Sequence, residues 1–393
     1  MVEKLLISGI CVIPFYEILI KLCPYAQTMT GDTREAKSFL ALFFAISCFC
    51  LHLWNKGTVQ CKSKVILSLV VYTFFVTHLW WKMPIALNDV MVGGFYKWQP
   101  LLYLLSFFVL FLTVSSIHLN KDKILSVIMW MSSIMACYVI LQAIGLDQFF
   151  SIIKAGYTDS IGFTAKLAGN LGQPTLVSPF IALGVPIALY MKKPLNVVLM
   201  VVAVLLTQSM VANFAMIIGV GFYLLSSRHI IAKYFVIGSL VTVTLYCFIF
   251  KPSMTGREFI WPETVKDVMT TPFEEDNGQR FAFTGVGLGA FPMLYHLKHI
   301  HQTMFHQVHN EYLEWFYSTG LFGLILLLMS VTEIFKTSQD KTVTSVFLVL
   351  CICAAGTFIW QLGVYQYIST VIVGLIYGGK DEKISVSNFS VVR

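Results

Sequence analysis

The sequence predicts an all-α polytopic membrane protein, and three observations predict it. Hydrophobic residues make up 57% of the 393 and charged ones only 12%, where soluble domains carry about a quarter. Mean hydropathy is +0.76. Apolar runs near the roughly 20 residues that cross a bilayer recur along the chain, and a segment in lipid must satisfy its own backbone, as a helix does.

Taken in order, the predicted spans are 5–22, 38–54, 65–81, 100–118, 124–144, 174–191, 195–208, 210–226, 234–250, 314–335, 343–361 and 364–378, about twelve in all. The first lacks an A-x-A cleavage site and reads as a retained helix. The seventh and eighth are short and meet at Gln208 and Ser209, the pattern of helices broken at a polar point within the membrane. The cysteines lie mostly inside apolar runs with no CxxC pair, so they read as small buried residues.

Orientation follows from where lysine and arginine collect. Alternate connections carry Lys56, Lys62 and Lys64, then Lys121 and Lys123, Lys192 and Lys193, Arg228 and Lys233, Lys336 and Lys341, and Lys380 and Lys383. These face the cytoplasm, which puts both termini inside and the 251–313 loop outside. The net charge of +7 is therefore a topology signal and implies no nucleic-acid partner. The chain reads as a single membrane domain, 1–393, in contact with membrane lipid.

Most of the chemistry-bearing residues lie between Lys251 and Tyr317, which hold five of the nine histidines. Arg257 stands in TGREFIW. An arginine there can snorkel to headgroups, or its guanidinium can bind phosphate oxygens bidentately. The following GVGLGAF, residues 285–291, lacks the βαβ context of a dinucleotide site. It reads as a tight turn that lets Phe291 pack, the alternative being backbone N–H groups that face a phosphate. Next comes HNEYL, in which Asn310 is the expected N-cap of the following span, with Glu311 in its first turn. His309, Leu313 and Phe316 are then expected on one helix face at the mouth of that span. An imidazole there can accept a proton near neutral pH. His296, His299, His301 and His306 read as solvated loop residues, and their spacings, with no HExxH and no cysteine support, give no metal site. Before the sixth span, AGNLGQP reads as a turn with proline at a helix start, or as a groove mouth lined by Asn170 and Gln173.

These motifs in this order, TGRxxxW, GVGLGAF and VHNEYL with Gly320 beyond, preceded by AGNLGQPTLVSPFIALGVPIAL and the paired short helices, resemble the O-antigen ligase and polymerase superfamily over about residues 165–330. The resemblance implies a C-type glycosyltransferase-like membrane fold in a bacterial inner membrane, with 251–313 as a periplasmic catalytic loop. It implies transfer of a glycan from undecaprenyl pyrophosphate to a hydroxyl of lipid A core or of another glycan. It also implies inversion at the anomeric carbon, with neither a metal nor a nucleotide-sugar cofactor. Arg257 would then contact the donor pyrophosphate and His309 would deprotonate or orient the acceptor, with Asn310 beside it. Where relatives carry an arginine near the 208–209 break, this chain has Met210 and Val211, so Arg280 or Lys298 is the expected substitute. Where relatives carry a glutamate, Ser318 stands, and Glu314 is the expected acid.

Two other classes remain open at this point. A polytopic glycolipid transporter fits the broken helices and the span count, although few spans carry charges apart from Glu17 and Glu333. A metal-dependent membrane hydrolase would have to draw on the histidine cluster.

Overall fold

Helices form where the apolar runs end in recognisable caps. The computed structural model describes residues 1–21, 33–55, 57–79, 100–146, 171, 174–225, 257–270, 281–288, 291, 308–357 and 359–378, and among these every regular element is helical. In chain order they are α1 (Val2–Lys21), α2 (Thr33–Trp54), α3 (Lys64–Leu79), α4 (Pro100–Ser116), α5 (Lys121–Ala143), α6 (Pro174–Tyr190), α7 (Pro194–Leu206) and α8 (Met210–Leu225). Then come α9 (Arg257–Thr270), the short α10 (Phe281–Thr284), α11 (Glu311–Thr337), α12 (Lys341–Gly356), a 3₁₀ turn at Ile359–Gln361, and α13 (Gly363–Gly378). The Asn120 side chain accepts from the Lys123 N–H at the start of α5. Asp340 accepts from the Thr342 and Val343 N–H groups at the start of α12. Pro174 and Pro194 open α6 and α7, where a missing N–H costs nothing.

Three features depart from the sequence expectation. The eleventh predicted span, 343–361, stops at Gly356, where Val211 of α8 packs so close that a Cβ would fall 2.4 Å from its Cγ2. The chain then runs extended through Thr357 before the 3₁₀ turn. Gly320, at φ 65° and ψ −169°, interrupts α11. Helices α9 and α10 appear in the polar stretch where no helix is predicted. The ninth predicted span, 234–250, lies outside the described residues.

Helix α6 is the axis of the larger core, buried from Leu176 to Ala188 and packed against α5, α7, α8 and α12. Two hydrogen bonds tie it to other helices: Ser132 Oγ donates to the Phe180 carbonyl at 2.9 Å, and the Tyr365 hydroxyl donates to that of Leu176. Helix α13 packs on α1, α2 and α4, with Tyr367 against Gly9 and Phe44. Helices α5 and α11 are each long and apolar enough to cross a membrane. Large apolar side chains also point outward. They include Leu67, Val71, Phe74 and Phe75 on α3, Leu321, Phe322, Ile325, Leu328 and Met329 on α11, and Leu195, Val198 and Val202 on α7.

The bundle has two unlike ends. At one, the lysine-bearing connections among the described residues come together. The Gln60 N–H donates to Ser116 Oγ at 3.2 Å, and Glu333 accepts from Ser63 Oγ and the Tyr377 hydroxyl, both at 2.9 Å. Lys123 pairs with Glu3 at 2.8 Å, Lys121 pairs with Asp340, and the Tyr190 hydroxyl donates to Asp122 at 3.0 Å. The Lys123 ammonium and the Asn120 N–H hold the Glu3 carboxyl below its ordinary value. Burial pushes Asp340 the other way, but the Lys121 hydrogen bond and the Val343 and Thr342 N–H groups outweigh it and lower its pKa. The other end carries α9, α10 and the start of α11.

Candidate functional site

The site at that second end is built on the N-terminus of α11. Asn310 caps it, its Oδ1 accepting from the Tyr312 N–H at 3.1 Å and the Leu313 N–H at 3.2 Å. This satisfies two of the amides that a helix start leaves without partners. With Asn310 as the cap, His309 falls outside the helix, half-buried, in the left-handed region at φ 57°. The expectation that His309 shares a face with Leu313 and Phe316 is therefore corrected. Leu313 and Phe316 turn into an apolar cluster with Ile260, Val268, Phe291, Val308 and Tyr317, while His309 sits on a tight bend beside it. A left-handed backbone costs a non-glycine residue on the order of 1–2 kcal/mol. The bend is held on both sides against that cost. The Asn310 cap fixes the residue after it, and Glu314 Oε2 accepts from the Val308 N–H at 3.4 Å on the residue before it.

Helix α9 completes the arrangement. The Trp261 indole N–H donates to the Val308 carbonyl at 2.9 Å, and Ile260 and Val268 bury in the shared cluster. Arg257 opens α9, four residues and about 6 Å of helix before Trp261. Positions 257 and 261 lie four apart and so share one face of the helix. The helix that Arg257 begins is thus bonded to the residue preceding His309. The Arg257 side chain, and all of Arg280, Lys298, Asn170 and Gln173, lie outside the described residues, as do His296, His299, His301 and His306.

The described part of the glycine-rich stretch is joined to α11 and α3. The Val286 and Gly287 N–H groups donate to the Tyr317 and Ser318 carbonyls at 3.1 and 2.7 Å, two acceptors that the break at Gly320 leaves without helix partners. The Leu288 N–H donates to Thr77 Oγ1 at 3.4 Å. Gly285, at φ 71°, lies so close to α11 that a Cβ would fall 2.4 Å from the Gly320 nitrogen. A Cβ on Gly320 would fall 2.3 Å from the Phe283 carbonyl carbon. The two backbones interlock, and only glycine fits at either position. The Tyr72 hydroxyl of α3 bridges the seam, donating toward the Phe283 and Thr319 carbonyls at 3.2 and 3.1 Å. Phe291 buries against Tyr317 with ring centroids 5.1 Å apart, as the tight-turn reading expects.

The break between α7 and α8 is present. Gln208 takes φ 55°, Thr207 and Ser209 are buried, and the two helices diverge to different partners, α7 to α5 and α6, α8 to α6 and α12. Val211 is occupied in packing against Gly356. Ser318, at the position where a glutamate is expected, is buried and receives the Gly287 N–H on its carbonyl. Glu314 is one turn from it and serves the Val308 amide.

Sequence reasoning missed Trp261, Tyr72 and Thr77 as site-building residues, because their partners lie 47, 211 and 247, and 211 residues away in the chain. It also missed the burial of Glu311, which is 1% exposed beside Tyr312. Tyr312 itself reaches across to α12, donating its hydroxyl to the Cys351 carbonyl at 3.1 Å and stacking edge-on with Trp360. Among the described residues no three histidine, cysteine or acidic side chains gather as metal ligands. No protein-family model matches the chain, and neither does any curated protein.

Proposed function

We propose that this chain is a multi-pass membrane glycosyltransferase of the O-antigen ligase and polymerase type, embedded in a bacterial inner membrane with the α9–α11 end outside. The outward-facing apolar residues on α3, α7 and α11 suit lipid, and the gathering of lysines at the opposite end suits the cytoplasmic side. The observation that carries the catalytic reading is the Trp261–Val308 hydrogen bond, which joins the helix opened by Arg257 to the bend that holds His309. That bond ties positions 257 and 309, with 51 residues between them in the sequence, to one end of the bundle, which suits a cation and a proton acceptor acting on one substrate.

In this reading Arg257 binds the pyrophosphate of an undecaprenyl-linked donor, and Arg280 or Lys298 adds charge to the same group. His309 accepts the proton of the acceptor hydroxyl as its oxygen attacks the anomeric carbon. The bond from that carbon to the pyrophosphate oxygen breaks, and its electron pair leaves with undecaprenyl pyrophosphate, whose charge the guanidinium compensates. One displacement inverts the centre, and the proton passes from the imidazole to solvent. The base contributes about 10²- to 10⁴-fold. The acceptor is a lipid A core hydroxyl in the ligase form of this reading and a second lipid-linked glycan in the polymerase form.

A test in cells uses His309→Ala and Arg257→Ala in place of the native chain. Both variants should remain in the membrane, abolish surface glycan and leave lipid-linked glycan to accumulate. Surface glycan retained by both would sink the proposal. A glycolipid transporter is the second reading, favoured by the broken connection at Gln208.

A further inference from the structure

The Val308 backbone has both of its polar groups taken by side chains from two different helices. Glu314 of α11 faces its N–H, and Trp261 of α9 donates to its carbonyl. Val308 itself is fully buried, so neither group has water as an alternative, and an orphaned carbonyl there would be costly. The residue immediately after it carries the left-handed bend. A bend of this kind persists only where its surroundings over-determine it. Trp261 also shares its helix face with position 257. This hydrogen bond, beside the apolar packing of Ile260 and Val268, ties the bend of His309 to the first turns of α9.

We propose that Trp261 is a positioning residue for glycan transfer: its indole N–H, bonded to the Val308 carbonyl, fixes the His309 bend relative to the α9 turn that begins with Arg257. The inference rests on the transfer reading given above. It assigns Trp261 no contact with substrate. Its consequence is kinetic, because a small misplacement of a reacting group slows a reaction far more than it weakens binding.

The test uses the full-length protein in lipid nanodiscs. The probe is radiolabelled undecaprenyl-pyrophosphate-linked glycan, extracted from membranes of the source cells together with its acceptor. Trp261→Phe keeps an aromatic ring in the cluster and removes the N–H. It should lower turnover about ten-fold per folded molecule while the donor KM stays within about twofold. 3-Benzothienylalanine at 261, which has the shape of tryptophan without the N–H, should do the same should the phenylalanine variant accumulate poorly. In a His309→Gln background, where no base remains to be placed, the loss of the N–H should leave the residual rate unchanged. A further ten-fold fall in that background means a general structural role and overturns the proposal. So does wild-type turnover in both N–H-less variants. If His309→Gln itself turns over like the wild type, the transfer reading fails instead, which separates the two failures.

Discussion

The two ends of the bundle are held by opposite kinds of interaction. At the lysine end, charges are matched side chain to side chain: Glu3 with Lys123, Asp340 with Lys121, and Glu333 with two hydroxyls. Each contact there joins helix termini that the chain brings together at its connections. At the other end the joints are backbone to backbone or side chain to backbone. Two interlocked glycines, a bridging tyrosine and an indole N–H join α9, α10 and α11. The first design tolerates single changes, because a solvent-screened ion pair at a partly exposed helix end contributes little. The second depends on close approach of main chains, which a single methyl group can block. The contrast teaches that the lysine end accepts single substitutions, whereas the other end trades tolerance for a defined shape.

The contrast breaks most sharply at Gly320. Alanine there adds a Cβ against the Phe283 backbone and strains a left-handed residue, with an expected cost of about 3 kcal/mol. Limited proteolysis should then cut between α9 and α11 while the rest of the bundle stays protected. Tyr72→Phe removes the hydroxyl that serves two carbonyls and should cost about 1–2 kcal/mol, read as a lower thermal midpoint in detergent. At the lysine end, Asp340→Ala loses both the cap and the Lys121 pair and should cost about 1 kcal/mol, whereas Asp340→Asn keeps a capping oxygen and should cost less. Glu3→Gln should change the midpoint by no more than about 0.5 kcal/mol equivalent.

Acidification sharpens the same comparison. The folded chain holds the Asp340 carboxyl below its ordinary 3.8, so the unfolded chain binds the proton first. The stabilisation is full above that value and is lost as pH falls through the lower folded pKa. The midpoint difference between wild type and Asp340→Asn should therefore shrink in that window and stay constant above about pH 6.

Much of the bundle was legible because the length of an apolar run is a local property. The described helices α3 to α8 start and stop within two or three residues of the predicted spans, and Asn310 caps α11 as its position before Glu311 implies. The register of His309 was available in the same observation. A cap at 310 places residue 309 outside the helix, and the face argument that included it ignored this. The role of Gly285 to Gly287 was not legible, because its partners are carbonyls freed by a helix break at Gly320 that no local pattern announces. Helix α9 was missed because its sequence has no apolar periodicity and carries Pro262 inside. The joint between α9 and the start of α11 includes an indole reaching 47 residues forward, which only the folded chain reveals.

Proteoliposomes test the central claim most directly. The purified chain is reconstituted with labelled undecaprenyl-pyrophosphate-linked glycan and an acceptor, and joined product and transbilayer movement of the donor are measured in the same vesicles. The account predicts acceptor carrying the labelled glycan, made by the wild type and lost in His309→Ala. Donor that crosses the bilayer with no joined product, equally in wild type and His309→Ala, would contradict it.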